Sequence, residues 1–343
     1  MKKAQLSTAL SKAQQKPWRP LFDVVDPVLD HAYLTLQAGC MPEGWDLYES
    51  RWRLPGWAVK PPFLPPELEW TGEPFQGKTL LLYYEQGFGD MFQFVRYASL
   101  AKSRGGQVLL SCSHLQADVL ATCPGIDDVI PVIHGQPTAL PGFDLHLPVC
   151  SLPRIFQTDL HSIPAPIPYL DVPSWVPNRA TICEILDRPQ RGLRIGCAWA
   201  GSPGHAHDGL RSIPPGAFAA LEAVQGCEWF SFQHGKEGPG PFPGITALAP
   251  LISNFSDTAL ALTFMDVVVT VDTSLAHLAG AMGIPVLLLL SVPCDWRWLL
   301  DRSDSPWYPT MRLFRQPRLG DWPAVIQEAI NFVGSCQLDM ERV

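Results

Sequence analysis

The stretch Val267 to Pro285, reading VVVTVDTSLAHLAGAMGIP, decides the fold of this chain. The β-branched run Val267 to Val271 is typical of a strand that is buried on both faces of a sheet. Small and apolar residues at helical spacing follow at once, and they predict a helix that Gly283 and Pro285 end in the usual order. A buried strand leading directly into a helix places free N–H groups and a helix dipole at the carboxyl edge of the sheet. The stretch therefore predicts a phosphate site.

The same stretch has a simpler interpretation. Thr273 or Ser274 could serve only as a helix cap, and His277 only as a core histidine with satisfied hydrogen bonds. The stretch alone does not decide between the two interpretations, so the rest of the chain has to.

Composition narrows the class of protein. The 343 residues predict two domains, and the formal net charge of −8 argues against a nucleic-acid partner held by backbone electrostatics. Nine scattered cysteines without a Cys-x-x-Cys pair predict free thiols in a reducing compartment rather than disulfides or a zinc ribbon. The N-terminus has no apolar signal region and no run is long enough to span a membrane, so we expect a cytoplasmic protein.

Strand and helix patterns alternate on both sides of a proline-rich connection. In the first half they predict four strands, near residues 79–84, 107–112, 128–132 and 144–148, and a helix over 91–103. In the second half they predict strands near 193–199, 229–232, 267–271, 286–290 and 310–315, with a closing helix over 322–333. This alternation predicts an α/β fold with two doubly wound, Rossmann-like domains that face a cleft.

The predicted domain boundaries follow from proline content. Residues 1–54 form a helical segment, 55–77 a proline-rich extended linker, 78–177 the first domain and 178–343 the second. Two amphipathic helices, with a break between Gly39 and Gly44, occupy the helical segment. They cannot bury their apolar faces alone, so we expect them to pack on another part of the chain.

One motif in the first domain carries a cleft carboxylate. Gln86-Gly87-Phe88-Gly89-Asp90 follows a predicted strand but lacks the third glycine of a dinucleotide site. Asp90 at the helix start is either a structural cap or a group that takes a proton from an incoming hydroxyl. Glu85 is a second carboxylate nearby, and spacing alone does not separate their roles.

Two further regions of the second domain carry chemistry-bearing residues. Trp199-Ala200-Gly201-Ser202 allows a ligand to approach the backbone, and Arg211 suits a diphosphate because its fork donates two bonds. The segments 294–298 and 305–309 combine tryptophans with arginines, which either line the cleft or form a packed loop core, and we favour the core. His205, His207 and Asp208 lack a further ligand at suitable spacing, so no metal site is predicted.

These motifs together resemble glycosyltransferase family 9, the heptosyltransferase-like family. The resemblance rests on EQGFGDMFQFVRYA (85–98), VDTSLAHLAGAMGIPV (271–286), WAGSPGH (199–205), RSIP (211–214) and the segment 295–316. The resemblance covers about residues 78 to 334. It is strongest to the bacterial branch of the family in which the transferase follows tetratricopeptide repeats. Residues 1–54 resemble a remnant of such a repeat.

The resemblance implies the GT-B architecture and a nucleotide-sugar site. Asp90 matches the aspartate proposed as the family's base, and Asp272, Thr273, Ser274 and His277 match its Asp-Thr-Gly-x-x-His motif at the diphosphate. Arg211 matches a basic residue on the phosphates, and Ser274 replaces the family's common glycine. We therefore expect Trp199, Gly201, Ser202 and Arg211 on the nucleotide-sugar side. On the acceptor side we expect Glu85, Gln86, Gly87 and Gly89.

The expected function is an inverting, metal-independent glycosyl transfer from a nucleotide-diphosphate sugar, with no other cofactor. The acceptor is either a protein or a glycan or lipid-linked saccharide, and peripheral contact with a membrane stays open. The alternatives are a catalytically silent binding or scaffold protein of the GT-B fold and a nucleotide-sugar epimerase on the same fold.

Overall fold

The structure is a computed structural model. It describes residues 26–53, 64–136, 138–164, 166–205, 207–235, 240–292 and 294–340. Residues 1–25 of the predicted helical segment and residues 54–63, most of them in the predicted linker, lie outside the described residues.

Two helices that pack on each other open the described chain, α1 (Pro27–Gln37) and α2 (Met41–Tyr48). Asp26 caps α1, accepting hydrogen bonds from the N–H groups of Val28 and Leu29 at 2.8 and 3.1 Å. The predicted break is shorter than expected, because Gly44 lies inside α2. A side chain there would meet Leu36 of α1 at 2.6 Å, so glycine lets the two helices approach closely.

The helical pair packs on both halves of the molecule. The Trp45 ring lies 6.2 Å from Phe94 and 5.1 Å from Trp296, centroid to centroid. Gln37 Nε2 donates to the carbonyl of Cys294 at 3.1 Å. The helical segment therefore joins the two domains rather than standing apart from them.

The first domain contains a parallel sheet of β1 (Thr79–Tyr83), β2 (Gln107–Ser113), β3 (Asp128–Val132) and β4 (Leu145–Pro148). Its strand order is β3-β2-β1-β4. Its helices are α3 (Phe88–Phe94), α4 (Ala98–Lys102), α5 (Ala117–Leu120) and α6 (Leu152–Ile155).

The predicted continuous helix over residues 91–103 is wrong in detail. Helix α3 begins three residues earlier, and a 3-10 turn, Val95–Tyr97, separates it from α4. At that point the carbonyl of Gln93 accepts a hydrogen bond from Arg96 Nε at 2.9 Å. The side chain of Arg96 thus satisfies backbone in the interrupted turn, which periodicity does not reveal.

The second domain contains six parallel strands in its described part. They are β5 (Leu193–Ala198), β6 (Cys227–Ser231), β7 (Thr246–Ala247), β8 (Val267–Val271), β9 (Val286–Leu290) and β10 (Met311–Arg315). The order β10-β9-β8-β5-β6-β7 reverses between β5 and β8, which is the switch point where such sheets bind ligands. The predicted α/β class with two doubly wound sheets is confirmed.

Among the described residues, six α-helices accompany this sheet: α7 (Arg179–Leu186), α8 (Asp208–Arg211), α9 (Pro215–Phe218), α10 (Phe255–Leu262), α11 (Ser274–Ala281) and α12 (Trp322–Met340). The opening stretch folds as predicted. Strand β8 is buried at every position and leads through Asp272 and Thr273 into α11. Gly283 has a φ of 78° just past the helix, in the left-handed region that favours glycine.

The described part of the predicted linker packs on the first domain. Trp70 is fully buried, and its ring lies 5.6 Å from that of Phe75. The Trp70 indole N–H donates to the carbonyl of Glu73 at 2.8 Å. From Leu64 onward this segment is therefore part of the first domain's core rather than a free spacer.

Candidate active site

The carboxyl end of β8 holds a carboxylate in a well-defined environment. Asp272 Oδ2 accepts a hydrogen bond from Trp298 Nε1 at 2.8 Å, and Asp272 Oδ1 lies 3.8 Å from His277 Nε2. Burial alone would raise the pKa of Asp272. The adjacent His277, the charge of Arg211 and the Trp298 hydrogen bond outweigh it and lower the pKa to about 2. Asp272 is therefore a stable anion that orders the side chains around it.

The first turn of α11 is open to an anion. Thr273 occupies the N-cap position with an extended backbone, but its side chain makes no cap hydrogen bond within the described structure. Its hydroxyl lies instead 3.4 Å from that of Thr270. The N–H groups that begin a helix need a partner, and here no side chain of the helix start supplies it. This geometry favours the phosphate interpretation over the simple-cap interpretation.

Arg211, the last residue of α8, reaches this helix start. Its Nη1 donates to the carbonyl of Asp272 at 3.0 Å, and its Nε contacts Asp208 Oδ1 at 3.3 Å. Gly201 allows this, because a side chain at residue 201 would overlap both Arg211 and Asp208. The predicted residues Gly201, Arg211 and Asp272 are thus brought together at the switch point.

The side chains of Trp199 and Ser202 do not join the group formed by Gly201, Arg211 and Asp272. The Trp199 side chain is only 6% exposed and packs on Phe218, 5.7 Å between centroids, so only its backbone borders the site. Gln233, which the sequence analysis did not identify, holds this backbone, since its Oε1 accepts from the N–H groups of Trp199 and Ala200 at 3.1 and 2.8 Å. Ser202 is exposed, and its hydroxyl accepts from the N–H of Gly204 at 3.4 Å.

Asp90 lies at the start of α3 and is shared between the two domains. Its Oδ2 accepts a hydrogen bond from the N–H of Gly87 at 2.9 Å, which is the predicted capping role. Its Oδ1 forms an ion pair with Arg297 of the second domain. Asp90 is therefore both a cap and an interdomain partner, and its side chain stays 18% exposed.

Gly89 brings the two motifs into direct contact. A side chain at this position would lie 2.7 Å from His277 Cδ2 and 3.3 Å from His277 Nε2. Because only glycine permits this approach, the loop that carries Asp90 lies against the helix that carries His277. The two loops singled out from the sequence therefore belong to one site.

Glu85 has another role. Arg51 holds it with two bonds, Nε to Oε2 at 2.7 Å and Nη2 to Oε1 at 2.9 Å, and the Glu85 side chain is only 2% exposed. The N–H of Cys150 also donates to Oε1 at 3.2 Å. Gln86 is similarly bonded to Tyr48 of α2, with Nε2 2.8 Å from the hydroxyl. Both residues anchor their loop to the helical segment, which leaves Asp90 as the carboxylate nearer the cleft.

The tryptophan-rich segment of the second domain, residues 294–309, was expected to form a packed loop core, but it also contains residues of the candidate site. Trp296, Trp298 and Trp307 are indeed buried. However, the same segment supplies Arg297 to Asp90 and Trp298 to Asp272. The signal available in the sequence was an arginine between two tryptophans, two residues after Asp295.

The segment also carries local backbone strain. Leu299 has a φ of 57° and a ψ of −162°, a conformation that residues with a side chain rarely adopt. Arg315 stabilises this backbone, because its guanidinium donates hydrogen bonds to the carbonyl of Leu299 at 3.3 Å and to the carbonyl of Trp298. Burial raises the pKa of the neighbouring Asp295, while Arg297 opposes that rise. Strain and a perturbed carboxyl together are typical of functional sites.

No group of three or more His, Cys, Asp or Glu side chains in the described ranges is arranged to hold a metal ion. Likewise, none of the described helices combines the length and apolar character needed to cross a membrane.

Comparisons with known proteins agree with this fold. No family model matches the chain. Protein FlbA of Caulobacter vibrioides is 24% identical over 323 residues, which cover 85% of this chain and 52% of FlbA, so the chain spans about half the length of that curated relative. Similar solved structures include a glycosyl transferase family 9 protein from Veillonella parvula (TM-score 0.56, 10% identity, 79% of this chain and 100% of that one). ADP-heptose lps heptosyltransferase II of E. coli is also similar (TM-score 0.52, 13% identity), and the match covers 77% of this chain and 99% of that one.

These neighbours define the class of fold. The two parallel sheets, each doubly wound and each covered by helices, form the GT-B arrangement of the heptosyltransferases. The predicted GT-B architecture is thereby confirmed. The association with tetratricopeptide repeats stays a prediction.

Proposed function

We propose that this protein is an inverting, metal-independent glycosyltransferase. It would move a sugar from a nucleotide-diphosphate sugar to an acceptor hydroxyl. The observation that carries the proposal is the contact of Gly89 with His277, which joins the Asp90 loop to the uncapped start of α11 at the switch point. The heptosyltransferase fold of the structural neighbours supports the same activity.

The donor diphosphate would bind at the start of α11. The N–H groups of its first turn and the guanidinium of Arg211 provide donors and positive charge where the leaving diphosphate gains negative charge. Because these groups are fixed before the reaction, they need little reorganisation during it. In this mechanism they take the part that a divalent metal plays elsewhere, which is why we propose metal independence.

Asp90 would act as the base. The acceptor hydroxyl gives its proton to the carboxylate, its oxygen forms a bond to the anomeric carbon, and the bond from that carbon to the diphosphate oxygen breaks. Attack opposite the leaving group inverts the anomeric configuration. Each carboxylate oxygen has two lone pairs, and Gly87 and Arg297 occupy one on each oxygen. A lone pair is therefore left for the acceptor.

The acceptor side is formed by both the first domain and the helical segment. Through Arg51 and Tyr48, the helical segment fixes Glu85 and Gln86 behind the base. We propose a protein or a saccharide as the acceptor and a cytoplasmic site of action. A remnant tetratricopeptide repeat in the helical segment would suit a protein partner.

One observation favours a second candidate function. Arg297 pairs with Asp90 and also with Asp295, and a base held in this way could belong to a GT-B protein that binds ligands without turnover. Such a protein would keep the diphosphate contacts and lack transfer.

A panel experiment separates these functions. Thermal unfolding is measured with ADP, GDP, UDP and CDP and with their common sugar conjugates, and nucleotide release is then measured for each conjugate that stabilises the protein. An enzyme raises the melting temperature with one family of conjugates and releases the corresponding diphosphate. Stabilisation without release supports the silent binding protein, and the absence of any shift contradicts both.

A further inference from the structure

Gln93 connects the helix that carries Asp90 to Arg297 of the second domain. It lies on α3 one turn after Asp90, and its side chain is fully buried. Its Oε1 accepts a hydrogen bond from Arg297 Nε at 2.6 Å. Because Nε of an arginine can only donate, the oxygen of the amide rather than its nitrogen must face Arg297. The orientation of the amide is therefore fixed.

The same edge of the Arg297 guanidinium contacts Asp90. Nη2, which shares that edge with Nε, forms the ion pair with Asp90 Oδ1. The guanidinium is a rigid plane, so a bond that fixes Nε also fixes the direction of Nη2. On the other edge Nη1 donates to Asp295 Oδ1 at 3.0 Å, and the plane lies over the Trp296 ring, 4.3 Å from its centroid. The amide oxygen of Gln93 therefore helps to aim Nη2 at Asp90.

Gln93 is itself held in place from the opposite direction. Its backbone carbonyl accepts a hydrogen bond from Arg96 Nε at 2.9 Å. Arg96 is buried, and its Nη1 donates to the carbonyl of Trp307 in the second domain at 2.7 Å. Two arginines thus cross between the domains at Gln93, Arg96 from the first domain and Arg297 from the second. The amide that receives Arg297 is therefore fixed before any ligand binds.

The nitrogen of the same amide indicates that stability alone does not explain a glutamine here. Gln93 Nε2 is buried and has no hydrogen-bond partner within the described residues. Burying an unpaired N–H group costs free energy, so stability alone would favour an apolar side chain at this position. The bond from the amide oxygen to Arg297 accounts for the presence of the amide.

We infer that Gln93 is a positioning residue: its amide oxygen orients the guanidinium of Arg297, which in turn holds the carboxylate of Asp90. The effect on catalysis rests on the proposed glycosyl transfer, whereas the orientation of Arg297 does not. Gln93→Met keeps a side chain of similar size and removes the acceptor. Gln93→Asn is a second variant, whose amide is too short to reach Nε.

Hydrogen exchange of the Arg297 Nε–H group tests this orientation without any substrate. The full chain is labelled with ¹⁵N-arginine for NMR, and Arg297→Lys identifies the signal. We expect slow exchange with water in the unmodified protein, because this N–H is buried and bonded, and exchange at least about tenfold faster in both Gln93 variants. Tyr97→Phe removes another buried hydrogen bond of the first domain, to Thr158 Oγ1 at 2.9 Å, and should leave the exchange unchanged.

The rate of sugar transfer tests the consequence for Asp90, once a donor has been identified by thermal shift. We expect Gln93→Met to lower kcat about tenfold with little change in the KM of the donor, because the base is displaced while the diphosphate contacts remain. Tyr97→Phe should leave both constants unchanged. In Arg297→Lys, which lacks the planar fork, adding Gln93→Met should lower kcat by less than about twofold more, since the two residues act together.

Unchanged Nε–H exchange in both Gln93 variants would overturn the inference. So would an undiminished loss of kcat from Gln93→Met in the Arg297→Lys background, since Gln93 would then act without Arg297. A protein that shows faster exchange in the Gln93 variants but no turnover would overturn the proposed function, while the orientation of Arg297 by Gln93 would be supported.

Discussion

Arg297 of the second domain forms an ion pair with Asp90 of the first, and its Nε donates to Gln93 Oε1 at 2.6 Å. The same guanidinium is 3.0 Å from Asp295 Oδ1 and lies over the ring of Trp296. One side chain therefore fixes the carboxylate that we propose as the base and holds the two domains together around it.

Loss of this ion pair should weaken the fold. Arg297→Met leaves Asp90 and Asp295 without their shared cation in a largely buried place, and we expect the free energy of unfolding to fall by about 3–5 kcal/mol. Urea denaturation measures it. Adding Asp90→Asn should recover part of the loss, since one orphaned charge is removed. Arg302→Met, which breaks an exposed pair with Asp304, should cost less than about 1 kcal/mol. Equal losses for the two arginines would contradict this account.

The helical segment should be required for the stability of the acceptor loop. Arg51 is fully buried against Glu85 and Glu49, so Arg51→Met should destabilise the protein by about 3–5 kcal/mol. Arg188→Met, which removes the half-exposed partner of Glu228, is the matched control with little expected effect. Equal denaturation midpoints for Arg51→Met and the unmodified protein would show that the segment does not anchor the loop.

Gly89 should tolerate no side chain. In Gly89→Ala the new methyl group would lie 2.7 Å from His277 Cδ2, so the loop and α11 must separate. We expect nucleotide-sugar turnover to fall at least tenfold, because small displacements in a site cost much of its rate. Gly216→Ala, where nothing lies within 4 Å of the new methyl group, should match the unmodified protein. The assignment fails if both alanine variants turn over equally fast.

Asp272 should make the free energy of unfolding depend on pH in the acidic range. Its pKa in the folded state is about 2, below its ordinary value of 3.8. The stabilisation from this shift is fully present above about pH 4 and is lost as the pH falls toward 2. The difference in unfolding free energy between the unmodified protein and Asp272→Asn should therefore shrink by on the order of 2 kcal/mol over that range.

Asp295→Asn is the matched comparison for acid unfolding. Burial raises the pKa of Asp295 in the folded state, so the folded protein binds that proton more readily. The difference in unfolding free energy between the unmodified protein and Asp295→Asn should therefore rise as the pH falls, opposite to the change expected for Asp272→Asn. A difference for Asp272→Asn that stays constant with pH would contradict the assigned environment.

Much of the fold could be predicted because it depends on local patterns. The buried run Val267–Val271 and the glycine at 283 determine β8 and α11 almost residue by residue, and the alternation of patterns predicts both parallel sheets. The interrupted helix after Asp90 could not be predicted in this way. It depends on Arg96, whose partners Trp307 and Tyr169 come from distant parts of the chain.

Residues of the candidate site could be proposed from the sequence only where each lies within a short local motif. This is the case for Asp90, Arg211 and the segment 272–277. The partners that set their geometry lie outside these motifs, since Arg297 lies 207 residues from Asp90 and Arg51 lies 34 from Glu85. Trp199 was expected beside the ligand because small residues follow it, yet its ring is buried in the core. A sequence indicates which groups are available, but the contacts between domains determine which of them are free to react.

The most direct test of the proposed function compares Asp90→Asn with the unmodified protein, using a nucleotide-sugar identified by thermal shift and its acceptor. We predict that the variant binds the donor with an unchanged dissociation constant, while the rate of sugar transfer falls by about 10²–10⁴-fold, the usual contribution of a positioned base. A transfer rate in the variant equal to that of the unmodified protein would contradict the assignment of Asp90 and the mechanism built on it.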